Sequence, residues 1–66
     1  MNLTKEWKMQ SRLIGKQATI TTKDSIYYGE WGTIKMFDGE YYHIAIYNDA
    51  DMAVIFTRDE FRVRRG

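Results

Sequence analysis

The sequence predicts a small, mainly β domain, in which five short strands form a barrel behind one short N-terminal helix. Three observations indicate this fold. Apolar and polar residues alternate in several short runs between Lys16 and Arg64, which is the period of half-buried strands. Glycine and polar turn residues interrupt the alternation at short intervals. The 66 residues include no cysteine and no proline, and a chain of this length forms one domain, residues 1–66, with a single core.

Residues 1–15 are predicted to form the helix. Leu3, Trp7 and Ile14 fall on one stripe at helical spacing, and Gly15 marks the end of the helix. About three turns are only marginally stable in isolation, so we expect the stripe to dock on one end of the barrel. The alternative is that the stripe joins two copies of the chain in an oligomer.

The barrel itself is predicted over residues 16–66. In its first strand, Ala18 and Ile20 point inward and alternate with polar residues. Residues 23–31 then show no clean period. They predict a long loop that is rich in aromatic side chains.

The second and third strands are predicted to pair through a glycine turn. Ile34 and Met36 of the second strand share the inward face with Tyr42 of the third. A two-residue turn would set Ile34 opposite His43 and mix the two faces. A three-residue turn, with Gly39 in the left-handed conformation as a β-bulge, sets Ile34 opposite Tyr42 instead. We therefore predict the bulged turn.

The last two strands are short and are separated by one tight helical turn. Val54 and Phe56 are predicted to point inward on the fourth strand, and Phe61 on the fifth. Thr57 can cap the helical turn between them. The interior of the closed barrel is then expected to be lined by Ile20, Ile34, Ile44, Val54 and Val63.

Two segments of the chain resemble the KOW-type family of SH3-like barrels. Residues 15–20, GKQATI, supply alternating apolar positions, and residues 29–34, GEWGTI, supply the Gly-x-x-Gly-x-aliphatic signature. Residues 56–61, FTRDEF, are similar to the ending of many SH3-like barrels. The resemblance implies a five-stranded SH3-like barrel and an association with ribosomes, RNA or the transcription machinery.

The chain offers few groups for catalysis. It has no cysteine nucleophile, a single histidine, His43, and neither a Ser-His pattern nor a glycine-rich phosphate loop. Asp49 and Asp51 lie in a polar segment that lacks the glycine and the closing glutamate of a calcium loop. The sequence therefore predicts a binding module that is not an enzyme and uses no cofactor, metal or small-molecule substrate.

Aromatic and basic residues share the predicted outer face of the barrel. Aromatic rings can stack on bases, and cations neutralise phosphates. The residues concerned are Lys35, Tyr41, Tyr47, Arg62 and Arg64. This pattern predicts RNA or a nucleoprotein assembly as the partner. The formal charge of only +1 and several acidic turn residues oppose that prediction unless the acids lie on another side.

The aromatic part of the long loop, residues 26–31, offers an alternative partner class. Its aromatic residues Tyr27, Tyr28 and Trp31 can anchor a protein, and the domain would then be a protein-interaction adaptor. We expect Trp31 or Tyr28 to close the barrel end as part of the core, and Tyr27 to be the contact residue. No apolar run approaches the ~20 residues of a membrane helix, so we expect no membrane partner and a cytoplasmic location.

Overall fold

The computed structural model describes residues 12–64, which form five strands and two one-turn 3-10 helices. The strands are β1 (Gln17–Ile20), β2 (Trp31–Phe37), β3 (Tyr42–Ile46), β4 (Ala53–Phe56) and β5 (Phe61–Val63). The 3-10 turns are Ala50–Met52, before β4, and Arg58–Glu60, before β5. The mainly β prediction is therefore confirmed. The predicted helix, with Leu3 and Trp7, lies outside the described residues except for residues 12–15, which form a turn.

All strand pairs are antiparallel, and the strand order is β4-β3-β2-β1-β5. Within residues 12–64 no ladder joins β4 to β5, so the sheet has two edges and the prediction of a closed barrel is wrong. The connection between β4 and β5 explains why these two strands do not pair. Thr57 caps the second 3-10 turn as predicted, and its amide donates to the Glu60 carboxylate (2.8 Å). The amide of Thr21, directly after β1, donates to the Glu60 carbonyl (2.9 Å). This bond places the start of β5 beside β1 rather than beside β4.

The inward faces of the strands form one core. Ile20, Ile34 and Ile44 are fully buried, as predicted. Val54 and Val63 pack against this core but remain partly exposed. Both valines lie on edge strands, where a neighbouring strand covers them on one side only. The other buried apolar residues are Ala18, Tyr42, Ala45, Ile46, Phe56 and Phe61.

The β2–β3 hairpin differs from the predicted register. Ile34 lies opposite Ile44 rather than Tyr42, and Phe37 takes the place opposite Tyr42. The bulge falls within β2, between Ile34 and Met36, and not in the turn. As a result Met36, which was predicted to point inward, is 47% exposed. The Phe37 ring instead packs on Tyr42 at a centroid distance of 4.5 Å.

Asp38 explains why the turn is longer than predicted. Its Oδ1 atom accepts hydrogen bonds from the amides of Glu40 (2.9 Å) and Tyr41 (2.8 Å). Its own amide donates to the Tyr41 carbonyl (3.0 Å). These bonds close a loop over residues 38–41, in which Gly39 has the predicted positive φ (101°). Aspartate side chains commonly stabilise turns by accepting from backbone amides in this way.

Protonation of Asp38 is expected to destabilise this hairpin in acid. The Tyr41 amide, His43 Nε2 (2.8 Å) and the Glu40 amide all bond the carboxylate and lower its pKa from 3.8 to about 2. The stabilisation is therefore complete above pH 3.8 and is lost as the pH falls through about 2. We expect the urea midpoint of the wild type to fall over this range, and that of Asp38→Asn to change less.

Urea unfolding at a series of pH values between about 2 and about 5 measures this difference. Asp24→Asn, in the β1–β2 loop, is the matched control and should keep the wild-type pH dependence. If Asp38→Asn also kept the wild-type pH dependence, the charge of Asp38 would contribute nothing to the stability of the hairpin.

Candidate functional site

A row of outward-facing side chains crosses the sheet from the end of β3 to β5. Thr19 on β1 lies opposite Trp31 on β2 and opposite Arg62 on β5. Tyr47, directly after β3, extends the row, since its amide donates to the Trp31 carbonyl (2.9 Å). Neighbouring strands are about 4.8 Å apart, so the row from Tyr47 to Arg62 is ~14 Å long.

A second row lies one step further along the same strands. Thr33 on β2 pairs with Gln17 on β1, and the Arg64 amide donates to the Gln17 carbonyl (2.8 Å). Lys35 is the bulge residue of β2, and it is exposed, as are Arg62 and Arg64. We call this face of the sheet the outer surface; its side chains are Gln17, Thr19, Trp31, Thr33, Lys35, Tyr47, Arg62 and Arg64.

The strands of the described chain carry cations and no acids. Their Lys and Arg residues are Lys35 and Arg62, and Arg64 follows directly after β5. The acids of residues 12–64 all lie in loops and 3-10 turns: Asp24, Glu30, Asp38, Glu40, Asp49, Asp51, Asp59 and Glu60. In a chain of formal charge +1, the charged residues of the strands are therefore all cations, and the carboxylate of Glu30 lies directly before β2. Near neutrality of the whole chain does not oppose phosphate binding at such a face.

Trp31 and Tyr47 form the aromatic part of the outer surface. Their ring centroids are 6.1 Å apart and their planes meet at 83°, which is an edge-to-face pair. Trp31 is 38% exposed and Tyr47 is 48% exposed, so both rings remain accessible to a ligand. The Tyr47 hydroxyl donates to the Glu30 carboxylate. This bond ties the ring to the end of the β1–β2 loop.

Tyr47 adopts a backbone conformation that large side chains rarely take. Tyr47 and Asn48 both have positive φ, 56° and 61°, and the Asp49 amide donates to the Ile46 carbonyl (3.0 Å) across them. A left-handed residue other than glycine costs roughly 1–2 kcal/mol. The hydrogen bond from the Thr33 hydroxyl to the Asn48 side chain helps to offset that cost. The turn thereby directs the Tyr47 ring onto the outer surface.

The predicted nucleic-acid site does not assemble as a whole. Lys35, Tyr47, Arg62 and Arg64 share the outer surface, whereas Tyr41 lies in the β2–β3 loop. The 5 residues of β3 separate Tyr41 from Tyr47, which is a distance of ~20 Å along the strand. The two tyrosines therefore lie at opposite ends of the sheet, and Tyr41 is not part of the site.

The burial of the loop aromatics is the reverse of that predicted. Tyr27 packs against the core, and its amide donates to the Ser25 hydroxyl (3.0 Å). Tyr28 is 52% exposed, and Trp31 begins β2 on its outward side. Ile26, which the sequence pattern did not mark as a contact residue, is 87% exposed. Two adjacent turns of the loop thus present Ile26 and Tyr28 to solvent and turn Tyr27 inward.

Other polar groups near the sheet have local partners. His43 Nε2 bonds the Asp38 carboxylate (2.8 Å). Asp49 accepts from the Asp51 amide (3.0 Å) and caps the first 3-10 turn. Among residues 12–64, no three His, Cys, Asp or Glu side chains are grouped so that they could hold a metal ion. The same residues contain no helix with the length and apolar character of a membrane span.

Comparisons of the chain with protein-family models, with curated proteins and with solved structures found no match. The function of the outer surface is therefore inferred from its own side chains. The properties that matter are an exposed aromatic pair, cations on a nearby strand and polar groups between them.

Proposed function

We propose that the domain is a non-enzymatic module that binds single-stranded RNA through its outer surface. The observation that carries this proposal is the exposed Trp31–Tyr47 pair on the same acid-free sheet as Arg62 and Arg64. Aromatic rings stack on bases with little regard to sequence, and nearby cations neutralise the phosphates. Single strands expose the base faces that such stacking needs.

The spacing of the outer surface suits a short stretch of nucleotides. Arg62 lies two strands from Trp31, which is about 10 Å, so a phosphate near a base on Trp31 can reach the guanidinium. Thr19 and Gln17 lie between the rings and the arginines and offer hydrogen bonds to ribose hydroxyls. Lys35 extends the basic border along β2. RNA is favoured over DNA because only RNA supplies the 2′-hydroxyl to these polar groups.

We also propose that the fold is a variant of the SH3-like barrels, with a sheet that stays open between β4 and β5. Five short strands with one helical turn before the last strand are typical of that architecture, and this order is present here. Gly32, in the Gly-x-x-Gly signature, lies close to the Ala45 backbone of β3, where a side chain would not fit. These features support the KOW-type resemblance, and the RNA association of that family favours the proposed ligand.

Arg62→Gln combined with Arg64→Gln is expected to flatten the salt dependence of RNA binding. Each phosphate contact to a single strand contributes about 0.7 to the slope of log K against log salt. The double variant should therefore lose about 1.4 of slope if each arginine contacts one phosphate. Anisotropy of a fluorescently labelled RNA hexanucleotide that contains all four bases, titrated at several salt concentrations, measures the slope. Lys23→Gln removes an exposed cation of the β1–β2 loop and should leave the slope unchanged.

Trp31→Ala in the same assay separates stacking from charge. A stacked base contributes about 1–3 kcal/mol, so the affinity should fall at every salt concentration while the slope stays at its wild-type value. RNA binding as a function is rejected if the wild type does not bind the oligonucleotide. If Trp31→Ala and the double arginine variant both bind as the wild type does, the RNA binds elsewhere on the chain and the outer surface is rejected as its site.

A second candidate function is a protein-interaction adaptor, favoured by the exposure of Ile26 (87%) and Tyr28 (52%) on the β1–β2 loop. Exposed aromatic and apolar side chains close together are typical anchors of a protein interface. Ile26→Ser combined with Tyr28→Ser should leave RNA binding intact but should abolish capture of a protein partner. Nuclease treatment of a lysate before capture provides a second criterion, because partners held through RNA are lost and direct protein partners remain.

A further inference from the structure

One carboxylate stands at the border of the outer surface. Glu30 directly precedes Trp31, and its Oε2 atom accepts the Tyr47 hydroxyl. Its other oxygen, Oε1, accepts no hydrogen bond from any residue in the range 12–64. A negative charge beside a surface that binds phosphates repels the ligand. The same carboxylate favours binding where it accepts hydrogen bonds from donor groups of the ligand.

We infer that Glu30 selects guanine among the bases that stack on Trp31, an inference that rests on the proposed RNA binding. The Watson–Crick edge of guanine presents two adjacent donors, N1–H and the N2 amino group. A carboxylate accepts both in a bidentate pair of charge-assisted hydrogen bonds. The carboxylate oxygens of Glu30 thus accept hydrogen bonds from guanine, and this contact favours guanine over the other bases.

The other three bases lack two adjacent donors. Adenine and cytosine each place one amino group beside a ring nitrogen that is an acceptor, and uracil places one N–H between two carbonyl oxygens. Each of them turns at least one acceptor towards a carboxylate oxygen. Two acceptors facing each other repel, and such repulsion is an effective means of discrimination. Glu30 therefore favours guanine and disfavours the alternatives.

The aromatic pair presents the base in an orientation that suits this contact. Because the planes of Trp31 and Tyr47 meet at 83°, a base lying flat on one ring turns an edge towards the other. The Tyr47 hydroxyl holds the Glu30 carboxylate beside the space between the two rings. The carboxylate is thus ordered before the ligand arrives, which lowers the entropic cost of binding.

Binding of matched hexanucleotides to the full chain tests this inference. The probes are a uridine hexamer with one internal guanine and its counterparts with adenine, cytosine or inosine at that position. Inosine is the nucleoside equivalent of guanosine without the N2 amino group. We expect the guanine probe to bind at least about fivefold more tightly than the adenine and cytosine probes, the lower limit for a bidentate base contact. The inosine probe should lie between them.

Glu30→Gln is the variant that isolates the carboxylate. Glutamine still accepts the Tyr47 hydroxyl through its carbonyl oxygen, but it presents an amide donor where the carboxylate had an acceptor. The guanine and inosine probes should therefore bind the variant equally. Glu40→Gln, an exposed glutamate of the β2–β3 loop, is the matched control and should keep the guanine preference.

The possible outcomes distinguish base selection from RNA binding. Equal affinity of the wild type for all four probes, with the salt slope intact, overturns guanine selection and leaves RNA binding standing. Absence of binding to every probe overturns both. A guanine preference that survives in Glu30→Gln shows that another group selects the base and overturns the role assigned to Glu30.

Discussion

Replacing Gly32 by alanine is expected to lower the free energy of unfolding by about 3 kcal/mol, the upper end of the usual range for overpacked cores. A Cβ atom here would lie 2.5 Å from the Ala45 carbonyl oxygen and 2.9 Å from the Ala45 carbonyl carbon. Both are backbone atoms of β3, so the clash is relieved only if β2 and β3 separate. A 66-residue chain has roughly 3–10 kcal/mol of total stability. The substitution is therefore expected to remove about a third or more of the total stability.

Gly39→Ala is the matched control for this prediction. Nothing lies within 4 Å of a Cβ at Gly39, but its φ is 101°, so the cost there is conformational and roughly 1–2 kcal/mol. Urea unfolding followed by circular dichroism measures both variants. A larger loss of stability in Gly32→Ala than in Gly39→Ala meets the expectation. Equal stability of the two variants would contradict the close approach of β2 to β3.

Tyr42→Ala is expected to cost about 3–5 kcal/mol, the range for truncating a buried aromatic residue. Tyr42 is 3% exposed. Its ring packs on Phe37 of β2 at 4.5 Å and, edge to face, on Phe61 of β5 at 5.3 Å. Since no ladder joins β4 to β5 within the part of the chain that the structure describes, these contacts hold β5 against the β3 side of the sheet. Loss of the ring should therefore weaken the packing of β5 against β3.

Tyr42→Phe keeps the ring and is expected to change the stability by less than about 1 kcal/mol. Burial raises the pKa of Tyr42 above its ordinary value of 10.0. The unfolded chain therefore loses this proton first, and stability should fall as the pH rises through 10.0. That fall should be smaller in Tyr42→Phe. If Tyr42→Ala were as stable as Tyr42→Phe at neutral pH, the ring contacts would contribute little.

The faces of the strands could be predicted from the sequence, but the hairpin register could not. Side chains alternate along a strand, so Ile20, Ile34 and Ile44 were identified as core residues without knowledge of their neighbours. The bulge at Lys35 breaks this alternation for the residues after it. Its position depends on which ring fits opposite Tyr42, and that contact forms only when the two strands are paired.

The candidate site was predictable in part. Gly32 lies at a buried position of β2, so the alternation along the strand indicates that its neighbour Trp31 points outward and not into the core. The bond between Glu30 and Tyr47 joins residues that are 17 positions apart. No local pattern predicts it, because it depends on the register of β2 with β3 and on the positive φ of Tyr47.

Local patterns in the chain were sufficient for the class of fold, for most of the core and for the basic residues of the outer surface. These properties follow from the period of each segment and from the type of each side chain, which need no distant partner. Pairing between strands alone decided that the sheet stays open, that Tyr41 lies far from Tyr47, and that Trp31, Tyr47 and Glu30 meet. The reason is that such contacts depend on register and bulge position, which are set by how side chains from different strands pack together.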